Sequence, residues 1–494
     1  MNGNPLHLGL QARRAPQPFV IVIFGVTGDL TARKLMPALF SLFLKGVTRF
    51  RVIGFARRDW GTEGLRSRAR DMIAEVPGGS QEQRERFLER LVYLQSTFED
   101  PAGYARLEEL SGDYADRLYY LSTPPSAYED IIEQLGAHGL ARQRGGFTRI
   151  LIEKPFGRDF ASAQELNRLL ARYFSEEQIF RIDHYLGKET VQNIMLLRFG
   201  NGIFEPVWNS NYVDHIQITV AEKIGVGTRG GYFESAGTLR DMVQNHMFQL
   251  LSLTTMEPPN DLSPDSIRNE KVKVMQALRP ITFRDIGSET VRAQYGEGIV
   301  DGSRVPAYRN EERVAHDSRI ETYVALRVFL DTWRWSGVPI FMRSGKRLQR
   351  KVSEISVHFK EPPRQLFTNR HPSMNRNTLI IRIQPEEGIT LNMNAKIPGH
   401  TTDMRPVNMD FAYGSTFGEA TLEAYERLLF DAVLGDATLY PRRDEIESSW
   451  AFITRILEGW KRDPSPIPTY MPGSSGPEEA RRLVAQSGRT WRKL

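Results

Sequence analysis

One stretch limits what this chain can fold into more than any other: Phe19-Val20-Ile21-Val22-Ile23-Phe24, followed at once by Gly25-Val26-Thr27-Gly28-Asp29-Leu30. A continuous apolar run rich in β-branched residues has no face to offer water. It reads as a strand buried on both sides of a parallel sheet. From residue 32 to residue 44, Leu35, Leu39, Leu42 and Phe43 recur at helical spacing. Strand, glycine turn and helix form the setting in which a backbone can hold a pyrophosphate. Gly25 permits the tight turn, and Gly28 lets a phosphate approach the amides at the helix start. The glycine spacing departs from Gly-x-Gly-x-x-Gly, so on the pattern alone a plain turn between strand and helix stays open.

The segments that follow repeat the theme. Residues 50–56 form a second strand candidate that ends in Arg57-Arg58, with no acid before Asp59. An acid at that strand end suits the ribose hydroxyls of NAD, whereas arginine suits the 2′-phosphate of NADP. A basic pair on a surface loop is the simpler alternative. Residues 83–93 have a helical pattern and residues 117–122 a strand pattern, halted by Thr123-Pro124-Pro125. Residues 148–152 read as another buried strand, running into Glu153-Lys154-Pro155-Phe156-Gly157. Lys154 would then lie at the carboxyl end of a parallel strand, where ligands bind in open α/β sheets. There it could touch both substrate and cofactor, or simply cap the strand. Alternating strands and helices give a doubly wound α/β domain.

Asp183-His184-Tyr185-Leu186-Gly187-Lys188 gathers an acid, an imidazole, a phenol and an ammonium before the run that starts at Glu189. If these residues open a helix, His184 and Lys188 share one face and converge on a phosphate. An ordinary solvated helix start has the same spacing.

Beyond Glu189 strand candidates dominate: residues 213–222, 321–331, 354–360, 377–384 and 389–396. Their alternation predicts a large antiparallel sheet with helices on one face, the other face being wet or covered by a partner. Leu239, Met242, His246 and Leu250 follow helical spacing, which puts His246 in an apolar stripe. Such a histidine is either a satisfied core residue or a desolvated general base, for which Asp183 is the candidate orienting acid. Glu222 and Asp241 could accept hydrogen bonds from the hydroxyls of a ligand. Residues 341–351, with Lys346 and Lys351, read as a basic loop with a glycine turn, though a solvated charge run has the same composition.

Composition narrows the class. At 494 residues, two domains are expected: 18–185 for the cofactor and 186–494 for substrate and dimerisation, after a disordered extension at 1–17. With 40% hydrophobic and 25% charged residues, no long apolar run and no apolar leader, a cytoplasmic soluble protein is the default. Zero cysteines exclude disulfides and thiolate chemistry, and nine histidines without ligand spacing argue against a metal. A net charge of +5 suits small anions but is no argument for nucleic acid.

In order along the chain, GVTGDLTARKL, the Arg57 strand end, EKPFG, RIDHYLGKE, RGGYFESAGTLRDMVQNH, RSGKRL and the block from Glu423 to Trp450 resemble glucose-6-phosphate dehydrogenase. The resemblance runs from about Phe19 to Trp460. It implies a Rossmann-type α/β domain followed by an α+β domain with a large, mainly antiparallel sheet. It also implies oxidation of β-D-glucose 6-phosphate at C1 with NADP, NAD use not being excluded, in the pentose phosphate pathway. By the same resemblance His246 is the general base and Asp183 its orienting acid. His184, Tyr185, Lys188 and Lys351 hold the phosphate, and Lys154 touches substrate and cofactor. Glu222, Asp241 and Lys346 bind the sugar, and Gly25, Thr27, Gly28, Asp29, Leu30, Lys34 and Arg57 hold the cofactor. A homodimer or homotetramer is the expected assembly. Two rivals remain: a related dehydrogenase of unphosphorylated sugars, and a silent cofactor-binding scaffold.

Overall fold

The computed structural model describes residues 16–364, 376–399, 404–413, 416 and 423–494. Residues 1–15 of the expected N-terminal extension therefore lie outside the described residues. The chain forms two compact units. One holds the described residues to Lys188, residues Pro259–Asn269 and the late segment ending at Glu447; the other holds Glu189–Pro258, the chain from Glu270 and Ser448–Leu494.

The first unit is built on six strands, β1 (Phe19–Phe24), β2 (Phe50–Ala56), β3 (Leu91–Gln95), β4 (Asp116–Leu121), β5 (Thr148–Ile152) and β6 (Ile179–Arg181). All neighbours are parallel and the order is β3-β2-β1-β4-β5-β6. This is the doubly wound order of dinucleotide-binding domains, with the reversal between β1 and β4. Every residue of β1 is buried, as its unbroken apolar character requires.

Two local expectations need correction. Residues 83–93 are not one helix: a helix Gln81–Leu88, closed by the reciprocal Ser80–Gln83 capping box, gives way to β3. Apolar residues at 87, 88, 91 and 94 satisfy a helical count, but Leu91 to Gln95 pair with β2 instead. The helix after β1 also opens irregularly, with a π-helical turn at Thr31–Leu35 before the regular helix Met36–Leu44.

The second unit contains β7 (Val213–Ala221), β8 (Thr290–Tyr295), a small hairpin of β9 (Gly298–Val300) and β10 (Ser303–Val305), β11 (Tyr323–Val328), β12 (Ile340–Gly345), β13 (Val352–Phe359), β14 (Thr378–Gln384), β15 (Gly388–Lys396), β16 (Met404–Ala412) and β17 (Thr469–Tyr470). Nine of these form one sheet, β16-β15-β14-β13-β7-β12-β11-β8-β17, antiparallel except for β7–β12 and β8–β17. The expected large, mainly antiparallel sheet is present.

The expected basic loop at 341–351 is half wrong. Residues up to Gly345 are strand β12, buried throughout, and the loop begins at Lys346. The charge that suggested a loop belongs to Arg343, and inside the sheet it is satisfied. Its Nε donates to Thr219 Oγ1 at 3.1 Å and its Nη2 to the Arg492 carbonyl at 2.6 Å, while Trp491 lies 4.6 Å away. Part of the sheet face expected to be wet or partner-covered thus carries the chain's own residues 489–492. Gln217 is tied there twice, to the Thr490 carbonyl and the Arg492 amide, both at 2.8 Å.

On the same sheet His215 and His358 stack with ring centroids 4.1 Å apart. Burial holds the His358 imidazole down at about 3, and the neighbouring His215, Arg492 and Arg376 reinforce this against the pull of Asp214. Burial also lowers His215, although Asp214 bonds it at 2.7 Å. The folded chain therefore binds fewer protons than the unfolded one between the ordinary histidine value and about 3. Stability is present above that window and is lost as pH falls through it. Thermal melts between pH 7 and pH 5 should show a smaller fall in Tm for His358→Gln than for the parent.

Candidate active site

The first unit presents its chemistry along the carboxyl ends of its strands. At the β1 turn, Gly25 has φ +79° and its amide donates to the Phe55 carbonyl at 2.8 Å. A Cβ there would sit 2.4 Å from the Ser122 carbonyl oxygen, so only glycine fits. The Gly28 amide closes the turn on the Gly25 carbonyl at 2.9 Å, and Thr27 and Leu30 stand half-buried beside it. The helix begins at Asp29, just past the turn, and the first amides of a helix have no partner within it. Asp29 itself pairs with Arg33 at 2.8 Å in solvent, and Lys34 pairs with Glu423. Arg57 and Arg58 follow β2 directly and are exposed, while the Arg58 carbonyl accepts from the Tyr93 hydroxyl. A close-approach glycine turn, a helix start and an exposed guanidinium fit a dinucleotide.

At the end of β5, Lys154 is half-buried behind a buried Glu153. Tyr120 donates to Glu153 Oε1 at 2.6 Å, and Tyr128 donates to the Glu153 carbonyl at 2.9 Å. Burial pushes the Glu153 carboxyl up, while Tyr120, Tyr425 and Lys154 favour its ionised form.

The turn after β6 departs from expectation. Residues 183–188 do not open a helix, which starts at Glu189 and runs to Phe199. The Asp183 side chain accepts from the Tyr185 amide and its carbonyl from the Leu186 amide, both at 3.0 Å. Such local bonds compete with a helical ladder. His184 and Lys188 nevertheless meet around one ring. His184 lies 5.1 Å from Tyr185 edge-on, and Lys188 Nζ lies 5.4 Å over the same ring. Asp183 is buried, whereas His184 is only half-buried.

In the second unit, parallel pairing of β7 with β12 puts both carboxyl ends together. Glu222 and Lys346 follow those two ends, and Lys346 Nζ binds Glu222 Oε2 at 2.6 Å. The expected sugar binders thus already form an ion pair. Lys351 is exposed farther along the loop, immediately before β13. Asp241 accepts from Tyr232 at 3.1 Å. His246 is 1% exposed, in a π-helical stretch Leu239–Met247 rather than the expected regular helix. That stretch starts after Gly237, where φ +69° breaks the helix and buried Glu321 accepts from the Leu239 amide at 2.9 Å.

Both units match models of one family: "Glucose-6-phosphate dehydrogenase, NAD binding domain" over residues 22–193, and the C-terminal domain over residues 195–492. A Chlamydia pneumoniae glucose-6-phosphate 1-dehydrogenase is 47% identical over 505 residues, covering 98% of each chain. The chain belongs to the glucose-6-phosphate dehydrogenase family. The Bacillus subtilis (strain 168) relative is 42% identical, covering 96% of this chain and 98% of its own. A glucose-6-phosphate dehydrogenase solved in complex with its substrate glucose-6-phosphate superposes with TM-score 0.89 at 37% identity, covering 98% of this chain and 100% of that one. The Mycobacterium avium enzyme gives 0.84 at 35%, covering 97% and 99%. Membership makes the chain an oxidoreductase with a pyridine-nucleotide-binding domain and an α+β second domain. Among the described residues no helix is long and apolar enough to cross a membrane.

Sequence pattern alone does not mark the contacts that Glu153 and Tyr425 make with the site residues. A charged residue closing an apolar strand was the available signal for Glu153. Nothing local marks Tyr425, which lies over 200 residues from the strands it joins.

Gly25→Ala should add roughly 1–3 kcal/mol of backbone strain and push on the Ser122 carbonyl. The measurement is dinucleotide affinity by titration calorimetry, where a large loss is expected together with a lowered Tm. An unaltered affinity would mean that the turn does not hold the cofactor.

Proposed function

We propose that this chain oxidises β-D-glucose 6-phosphate at C1 to 6-phosphoglucono-1,5-lactone with NADP, the first oxidative step of the pentose phosphate pathway. In this reading His246 takes the hydroxyl proton and Asp183 orients it. The observation that carries the reading is correspondence over 98% of the chain with a structure solved in complex with glucose-6-phosphate.

Loss of hydride from C1 leaves a developing carbonyl, so the hydroxyl proton must depart in the same step. A buried imidazole suits that task, because its ordinary titration lies near neutrality. The burial of His246 and of Asp183 supports these roles. A dianionic phosphate calls for cations and donors, which His184, Tyr185, Lys188 and Lys351 supply in this reading. Glu222, Asp241 and Lys346 then hold the sugar hydroxyls, and Lys154 touches both substrate and cofactor. The Glu222–Lys346 ion pair supports their joint role, since each partner keeps further hydrogen-bonding capacity.

A bound nicotinamide supplies the hydride acceptor. Gly25, Thr27, Gly28, Asp29, Leu30 and Lys34 hold its pyrophosphate side, and Arg57 faces the 2′-phosphate that separates NADP from NAD. The exposed Arg57 side chain with an arginine beside it favours that assignment. We further place the enzyme in the cytoplasm as a homodimer or homotetramer, which sedimentation would measure.

Two kinetic outcomes are expected from absorbance of reduced cofactor. His246→Asn should lower kcat by about 10²–10⁴-fold, the usual contribution of a positioned base, with sugar-phosphate binding nearly intact. Near-normal turnover would remove His246 from the role. Arg57→Ala should weaken NADP far more than NAD, and equal losses for both would reject the 2′-phosphate contact.

A further inference from the structure

Beneath the crevice of the first unit lies a carboxylate that the proposed chemistry does not consume. Glu153 is 8% exposed, and a carboxylate so enclosed must be paired and hydrogen-bonded. Its partners come from separate parts of the fold. Tyr120 of β4 donates at 2.6 Å, the Lys154 amide reaches Oε2 at 3.3 Å, and Tyr425 lies beside the same carboxylate and favours its ionised form. Tyr128, opening the helix Tyr128–Ala137, secures the Glu153 backbone from below. Both phenols stay protonated, since burial and the adjacent carboxylate hold Tyr120 and Tyr425 far above the ordinary tyrosine value.

Tyr425 has a second neighbour. Its ring stacks on His184, nearly parallel at 8° and with centroids 6.3 Å apart. The helix that carries it, Ala424–Leu434, is anchored to the helix after β1, where Ser41 donates to Glu426 at 2.8 Å and Lys45 pairs with the same carboxylate. One buried acid is therefore bonded by the Lys154 backbone amide and flanked by an anchored phenol that stacks on the His184 ring.

For stability alone an apolar side chain would serve the end of β5 as well, because a buried charge is costly to desolvate. We propose that Glu153 and Tyr425 are positioning residues, which hold Lys154 and the His184 imidazole where substrate and cofactor meet them. This rests on the reading of Lys154 and His184 as binding residues.

Steady-state kinetics on the full-length enzyme test it with Glu153→Gln, Tyr425→Phe, the double variant, Lys154→Ala and His184→Ala. Glu153→Gln keeps the volume but replaces an acceptor with a donor. It should raise KM for both glucose 6-phosphate and NADP roughly tenfold, short of the hundredfold that a 1 Å misplacement of reacting groups can cost. Tyr425→Phe keeps the ring but loses the hydroxyl, so KM should rise for the sugar phosphate and not for NADP. The double variant should be no worse than Glu153→Gln, because both changes break one connection. A purely architectural role would lower Tm and the active fraction while leaving both KM values in place. Unchanged KM in Glu153→Gln and Tyr425→Phe, beside raised KM in Lys154→Ala and His184→Ala, overturns the inference and leaves the site reading standing. Unchanged KM in the last two overturns both. Additive losses in the double variant also count against it, and if Glu153→Gln fails to fold, Tyr425→Phe decides alone.

Discussion

The first unit depends on one close approach, that of the Gly25 backbone to the Ser122 carbonyl at the point where strand order reverses. β1 is buried on both faces between β2 and β4, so its chain leaves the sheet only at its end. There the next residue must turn against a neighbouring carbonyl with no room for a side chain. The turn in turn sets where the following helix starts. A crevice of this kind forms at the carboxyl edge of an open parallel sheet because flanking loops depart to opposite sides.

Several charged groups in each unit are paired, although Arg57 and Arg58 stand exposed. Glu153 accepts from the Tyr120 hydroxyl and the Lys154 amide, Asp183 bonds its own turn, and in the second unit Glu222 holds Lys346. Each group is restrained before any ligand arrives. That lowers the side-chain ordering cost of binding and keeps the polar atoms aimed. In the second unit the same economy depends on a topological exception. The β7–β12 pair is parallel within a mainly antiparallel sheet, and this alone brings Glu222 and Lys346 to one end.

Much was legible along the chain, for identifiable reasons. β1, β2 and β5 were legible because short, largely apolar runs bounded by glycine, charge or proline have few other uses. β13, β14 and β15 followed from alternation. The errors share a cause. In 83–93 the apolar residues satisfy two periods at once, and pairing with β2 chose the strand. In 341–345 Arg343 suggested solvent, whereas Thr219, Trp491 and the Arg492 carbonyl receive it inside the sheet. At 183–188 helical spacing was read where the Asp183 side chain competes for the backbone.

By itself the sequence determined residue chemistry and local backbone options: which strands are buried, where glycine is obligatory, and which acids, imidazoles and ammonium groups are available. It also pointed to the family, through ordered motifs over most of its length. Tertiary structure alone decided which of those groups meet. Tyr425 reaches Glu153 and His184 through packing of a helix from the far end of the chain, and Glu222 reaches Lys346 through strand order. Periodicity reports the faces of one element, whereas encounters between elements depend on registers and crossings that no local spacing encodes.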